Sequence, residues 1–192
     1  HLLISFFITF TLAGIPSKDY NEWTVLQNND IWIGYTETDY PWCKTKMVFN
    51  NSVDEILKIV EDVNNYYIFF DSMVYSSLDE EDIVHVMVDY PIPFSDRDYV
   101  VKFELLFEDK DIVYRFKSKD KSKPHHKNYV RLTNAAGEWR LSPIDESYVE
   151  VSYTWNGELK GSFPSWTLTR AWMRQGNEIM NSLEAELSKG EI

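Results

Sequence analysis

Polar and apolar positions alternate with period two along most of this chain, the pattern of strands with one buried face. Trp23 to Gln27 and Ile31 to Thr38 alternate on either side of Asn28-Asn29-Asp30. Asn and Asp tolerate turn geometry, so a hairpin is predicted there. Lys44 to Asn50 is a third strand. Two more, Met73 to Leu78 and Ile83 to Tyr90, flank the acidic turn Asp79-Glu80-Glu81-Asp82, and Pro91 to Asp96 follows as a rigid connection. Asp98 to Phe107 and Ile112 to Lys117 flank Glu108-Asp109-Lys110-Asp111 as a further hairpin. Tyr129 to Leu141 and Tyr148 to Glu158 read as two long strands joined by Ser142-Pro143-Ile144-Asp145-Glu146-Ser147. Ser17 to Trp23 reads as a short helix or turn.

Two stretches break the alternation. Ser52-Val53-Asp54-Glu55 is a capping-box pattern, in which the Ser and Glu side chains each satisfy the other's backbone amide. Val53, Ile56, Leu57, Val60 and Val63 follow at helical spacing, which predicts a helix to about Asn64. Asp54 and Glu55 sit in its first turn, where the helix dipole favours acid. The second break follows Val149 to Trp155. Gly161 and Pro164 punctuate a switch from period two to period 3.6, and Pro is tolerated in a first helical turn. Leu168, Trp172, Ile179, Leu183 and Leu187 then recur at spacings of three, four or seven, and Trp166, Thr169, Met173 and Met180 widen the stripe. A face that broad suits the concave side of a sheet. Gly176 in its middle costs roughly 1 kcal/mol relative to Ala, consistent with close packing or a bend. Without internal repeats or low-complexity linkers, the pattern predicts one α+β domain.

Composition changes this picture in two ways. The 192 residues hold 7 Trp, 12 Tyr and 11 Phe, enough aromatic surface to fill a core or to line an apolar pocket. The net charge of −12 repels nucleic acid and argues against tight static binding to an anionic membrane. Cys43 stands alone, so it forms no intrachain disulfide and assigns no redox compartment. Leu2 to Gly14 is uncharged and apolar but short for a transmembrane helix. It matches the core of a secretory signal peptide, with Ala13-Gly14 where cleavage would fall. A membrane-proximal anchor and a packed N-terminal helix are the other readings. Residues 1–16 are therefore set apart from a domain over 17–192. Export follows if the segment is a signal peptide, and a cytoplasmic site otherwise.

Motifs for catalysis are missing. There is no Gly-x-Ser-x-Gly elbow, no phosphate-binding glycine loop and no His-Glu-x-x-His helix. The run from Asp79 to Asp82 lacks a calcium-loop pattern, and adjacent His125 and His126 point apart on an extended chain. Neither predicts a metal, and no cofactor is expected. His85 is the one histidine inside a strand pattern.

One constellation carries more. Pro93-Phe94-Ser95-Asp96-Arg97-Asp98-Tyr99-Val100 precedes a strand, and Leu159-Lys160-Gly161-Ser162-Phe163-Pro164 precedes the last helix. Arg97-Asp98-Tyr99-Val100 is similar to the Arg-Asp-Phe-Val run of the START family, the lipid-transfer domains related to steroidogenic acute regulatory protein. Leu159 to Pro164 resembles that family's Leu-Lys-Gly-x-x-Pro. The early helix and the order of elements match as well, so the resemblance covers about Tyr20 to Leu187. It implies a helix-grip fold, a curved antiparallel sheet around a long C-terminal helix, with a lipid-sized tunnel between them. Family members bind sterols, phospholipids, ceramides or other hydrophobic molecules. Sterol carriers in the family place a basic residue six positions after the motif arginine; Phe103 stands there, which counts against a sterol.

Strand parity puts Tyr99, Val101 and Phe103 on one face, opposite Lys102 and Glu104, so the aromatic face is expected inside. Tyr153 and Trp155 share a face with Val149 and Val151. The expected ligand wall is Tyr99, Phe103, Tyr153, Trp155, Phe163, Trp166, Leu168, Trp172, Met173 and Met180, with Phe163 and Trp166 also as a gate. Arg97, Asp98, Gly161 and Pro164 are expected to be structural, Arg97 pairing with Asp98 or Asp96. The expected partner is a hydrophobic small molecule or lipid, with transient membrane contact and no nucleic acid. The leading expectation is binding and transfer without catalysis. The alternatives are a cyclase- or hydrolase-like enzyme in the same cavity, with His85 or a buried carboxylate as its acid–base group, and an interaction module whose cavity is filled by aromatics.

Overall fold

A computed structural model of the chain describes residues 14–90, 95–119, 127–156 and 165–189, without the side chains of residues 165 and 166. Among these residues ten strands form one sheet. They are β1 (Thr24–Asn28), β2 (Trp32–Glu37), β3 (Pro41–Phe49), β4 (Met73–Leu78), β5 (Ile83–Val88), β6 (Arg97–Glu108), β7 (Asp111–Ser118), β8 (Val130–Arg131), β9 (Ala136–Pro143) and β10 (Val149–Asn156). Their order is β1-β2-β3-β10-β9-β7-β6-β5-β4, every neighbouring pair on this path antiparallel, with β8 beside β6 in parallel. The helices are α1 (Val53–Val60), α2 (Tyr66–Phe69) and α3 (Ser165–Lys189). None of the described helices is long and apolar enough to cross a membrane.

The capping box predicted at Ser52 is formed: the Ser52 hydroxyl accepts from the Glu55 amide at 3.3 Å, and the Glu55 carboxylate accepts from the Ser52 amide at 2.8 Å. The helix ends at Val60 rather than Asn64. Tyr66, buried against the core, donates its hydroxyl hydrogen bond to the Val60 carbonyl. That bond satisfies a carbonyl that another helical turn would have used. A 3-10 turn at Val63–Asn65 then leads into α2. Ser17 to Trp23 holds a turn and no helix.

The two faces of the sheet have different chemistry. Inward point Ile33, Cys43, Val86, Val101, Phe116, Trp139, Leu141, Val151 and Tyr153, all in one apolar core with Trp172, Ile179, Met180, Leu183 and Leu187 of α3. Burial pushes the Cys43 thiol well up, so it stays protonated and packs as an apolar group. Gly176 lets α3 approach closely. A Cβ there would lie 2.9 Å from Ile33 Cδ1 and 3.3 Å from Thr45 Cβ. The Gly176 carbonyl accepts from the Thr45 hydroxyl at 3.3 Å, and Asn177 exchanges amide hydrogen bonds with Gln27 at 2.9 and 3.0 Å. Glu178 accepts from the Ser72 amide at 2.7 Å. Close packing is what this glycine serves.

The outer face is ionic. Arg140, on β9, reaches Glu138, Asp111 and Glu108 at 3.0, 3.0 and 2.7 Å, and Arg115 reaches Glu138 and Glu108 at 2.7 and 2.9 Å. The stretch before β1 crosses this face. Lys18 pairs with buried Asp111 at 2.7 Å, and Tyr20 and Thr36 share a 2.6 Å hydroxyl bond.

Candidate functional site

Between the inner face and the first described turns of α3 lies a cavity. Tyr99, Phe116, Tyr153 and Trp155 come from β6, β7 and β10, and Ala171, Trp172 and Gln175 from α3. Val88, Tyr90, Arg97, Leu132, Ala135, Ala136 and Asn156 complete its described wall. The rings are closely interleaved. Tyr153 lies 4.5 Å from Trp139 and 5.2 Å from Trp155, and Trp172 lies 5.2 Å from Tyr35, centroid to centroid. Such distances are in the favourable range for aromatic pairs.

The space left among the described residues is about 40 Å³. A single water needs about 10–15 Å³ of such space. Ligand clefts run from about 300 Å³. Rings of four strands and α3 meet in one layer there, beside the small side chains of Ala135, Ala136 and Ala171.

Of the expected wall, Tyr99, Tyr153, Trp155 and Trp172 line this cavity. Phe103 and Met180 do not. Phe103 stacks on Tyr114 at 4.5 Å, further along β6, and Met180 is fully buried beyond Gly176. Leu168 and Met173 are half-buried on α3 and also lie off the cavity wall. Phe163, Gly161, Pro164 and the Trp166 side chain lie outside the described residues, as does the gate assigned to them.

Of the two carboxylates expected beside Arg97, Asp98 is not its partner. Successive strand residues face opposite ways. Arg97, at the parity of Tyr99, points into the cavity wall, where its guanidinium lies 4.8 Å from the Tyr90 ring and donates to the Ser95 carbonyl. Burial lowers its pKa, with Tyr90 and Asp96 acting the other way. Asp98 points outward and is fully buried there. Arg131 holds it through Nε to Oδ1 at 3.0 Å and Nη2 to Oδ2 at 2.6 Å, and His85 Nε2 lies 2.9 Å from the same Oδ2. Burial pushes the Asp98 carboxyl up, but the Arg131 and His85 hydrogen bonds outweigh it and hold its pKa below the ordinary value. His85, the expected acid–base candidate, thus stands on the face away from the cavity.

Arg97, Tyr90, Phe116 and Gln175 are wall residues that the sequence reading missed. Parity carried two residues back from Tyr99 was the available signal for Arg97. Tyr114 to Phe116 offered the same signal on β7. The acid–base groups facing the cavity include the phenols of Tyr90, Tyr99 and Tyr153, and burial raises the pKa of each. They are neutral hydrogen-bond donors at ordinary pH. No three His, Cys, Asp or Glu side chains among the described residues could hold a metal ion.

Gly137 on β9 shapes the wall from behind. A Cβ there would lie 2.6 Å from Phe116 Cζ and would also run into the Thr154 carbonyl. Gly137→Ala is expected to cost about 1–3 kcal/mol, as overpacking does. A fall in the urea midpoint at unchanged slope would show it.

Comparison with known proteins places this geometry. The fold is the helix-grip fold of START domains. A STAR-related lipid transfer protein from Xanthomonas axonopodis superposes with a TM-score of 0.77 over 88% of this chain and 99% of its own, at 21% identity. Human StAR-related lipid transfer protein 5 gives 0.81 over 91% of this chain and 90% of its own, at 11% identity. An aromatase/cyclase from Streptomyces has the same fold, with a TM-score of 0.55 over 77% of this chain and 93% of its own, at 15% identity. In sequence, an uncharacterized protein of Pseudomonas aeruginosa is 31% identical over 80 residues, 41% of this chain and 40% of that protein. No protein-family model matches the sequence.

Proposed function

We propose that the protein binds a hydrophobic ligand in the cavity between the sheet and α3, and transfers it without chemical change. The observation that carries this reading is a buried wall of aromatic rings with a guanidinium, Arg97, at one side. An apolar chain gains about 0.8 kcal/mol for each buried CH₂, so affinity needs no reacting group. Arg97 suits an anionic or strongly hydrogen-bonding head. The lipid-transfer names of two structural neighbours agree with this assignment. A ligand larger than about 40 Å³ at this wall requires the space to grow. The rings and the first half of α3 are the elements to move, because the second half of α3 is fixed from Gly176 onward.

Native mass spectrometry of the purified protein is the test. A co-purifying lipid, or one taken up from a broad panel unchanged in mass, is the expected result. A protein that takes up no lipid, or returns a modified one, overturns the proposal. Arg97→Gln is expected to weaken binding of an anionic-headed ligand by about tenfold or more, the worth of one charged hydrogen bond. Binding of a neutral-headed analogue should change little, and competition between the two in one titration checks it.

A further inference from the structure

The inner face of the sheet is not covered along its whole length. On β6 the residues that share the parity of Tyr99 run on through Phe103 and Leu105 to Phe107. Phe103 packs against the core, but Leu105 is 37% exposed and Phe107 72%. Across the β6–β7 ladder Leu105 stands directly opposite Tyr114, and Phe107 directly opposite Ile112. Four apolar side chains thus form one block, with Ile112 and Tyr114 half-buried in it. Single exposed apolar residues are ordinary, but cross-strand neighbours make a contiguous patch. The backbone under it is fixed. Lys110, in the turn, donates to the Pro143 carbonyl at 2.8 Å, and Arg115 and Arg140 hold Glu108 on the opposite face at 2.9 and 2.7 Å. A patch on a fixed hairpin needs little ordering to bind.

The charge around the block has one sign. Residues 54–62, 79–82 and 104–111 hold four carboxylates each, with Lys58 and Lys110 as their only cations. Burial, then the nearby carboxylates of Glu61 and Asp82, push the Tyr114 phenol up to about 12. Asp82 is 3.6 Å from Lys102, and Asp111 is held by Lys18 and Arg140. Glu61 and Asp109 are exposed and have no ion-pair partner among the described residues. We infer that this block docks a basic, amphipathic segment of a partner protein, whose apolar side chains seat on Phe107 and Leu105 while its Lys or Arg residues meet Glu61 and Asp109. Charge selects that occupant. A second copy would bring the same carboxylates against these, and nucleic acid or an anionic lipid surface would be repelled. Tyr99, in the cavity wall, lies eight residues before Phe107, about 27 Å along the strand at 3.4 Å per residue. A partner held here leaves the cavity accessible, and the inference does not depend on what the cavity binds.

The test is fluorescence anisotropy of a labelled helical peptide, about 18 residues of Leu and Lys with Leu on one face, titrated with the full chain. Binding that weakens with added salt is expected. The same peptide with Glu for Lys, or with Ser for Leu, should bind about tenfold more weakly or worse. Phe107→Ser and Leu105→Ser should each weaken binding about tenfold, as loss of a central apolar anchor does. Glu61→Gln with Asp109→Asn should weaken it about fivefold. All four positions are exposed, so the urea midpoint should hold in these variants. Val25→Ser, and Glu22→Gln with Asp30→Asn, make the same kinds of change at or beside β1, at the far edge of the sheet, and should leave binding nearly unchanged. Equal losses in the two sets overturn the inference, as does a parent that ignores the Leu and Lys peptide. Self-association of the parent that Phe107→Ser abolishes would give the block to a second copy and overturn it as well.

Discussion

Replacing Arg131 by Met is expected to cost about 3–5 kcal/mol of stability, because it strands a carboxylate in a buried site. Asp98 has no exposed surface, and Arg131 supplies two of its hydrogen bonds. His85 remains as a partner of Asp98 Oδ2 in the variant. The urea midpoint of variant and parent measures the cost. The pH dependence has a definite sign. The folded-state pKa of Asp98 lies below its ordinary value of 3.8, so the stability it confers is complete above that value and is lost as pH falls through the folded pKa. The parent should therefore lose stability in acid more steeply than Asp98→Asn, in which the titrating group is gone. Equal acid slopes would show that this pair contributes nothing to the acid limb.

Trp172→Ala should be comparably costly, about 3–5 kcal/mol for a buried Trp. That corresponds to about 10 °C or more in melting temperature for a domain of this size. Trp172 is nearly fully buried, packs on Tyr35 and forms the α3 side of the cavity. The loss should be recoverable in a way that an ordinary core loss is not. Removing the indole opens space where the ligand is proposed to lie, so a bulky apolar ligand should raise the melting temperature of the variant more than that of the parent. A smaller rise in the variant would place the ligand elsewhere. Thermal unfolding with and without the lipid found by mass spectrometry decides between them.

How much of this was legible beforehand follows from the range of each interaction. The capping box at Ser52 and the inward parity of Tyr99, Tyr153 and Trp155 depend on neighbours a few residues away, and both were read from the chain. Tyr129 to Leu141 read as one strand but is two. The amide of Val130 bonds the Asp96 carbonyl and that of Leu132 the Asp98 carbonyl, so the chain first pairs with β6 in parallel and only then turns into β9. Nothing local marks that change of partner. Arg131 was missed for the same reason, since its carboxylate lies 33 positions earlier. The Asp98 alternative for Arg97 was avoidable: adjacent strand residues face opposite sides, and the rule that placed Tyr99 also applied to Arg97, leaving Asp96. The interleaving of rings from β6, β7, β9, β10 and α3 around the cavity was beyond any pattern, because it is settled only once those elements meet.

The grip of β2 and β3 on Gly176 gives α3 a mechanical character. The helix is a cantilever, clamped from its midpoint to its C-terminal end by Ile33, Thr45, Gln27 and the core beneath Ile179, Met180, Leu183 and Leu187. Its N-terminal arm, residues 165–175, is about 16 Å long at 1.5 Å per residue, so a tilt of about 10° at the clamp swings the tip by about 3 Å. That stroke is close to the thickness of one aromatic ring, and the arm carries Trp172. Leverage of this kind makes the volume beneath the arm sensitive to small changes at its root, and substitutions around Gly176 should tune the cavity without touching its wall.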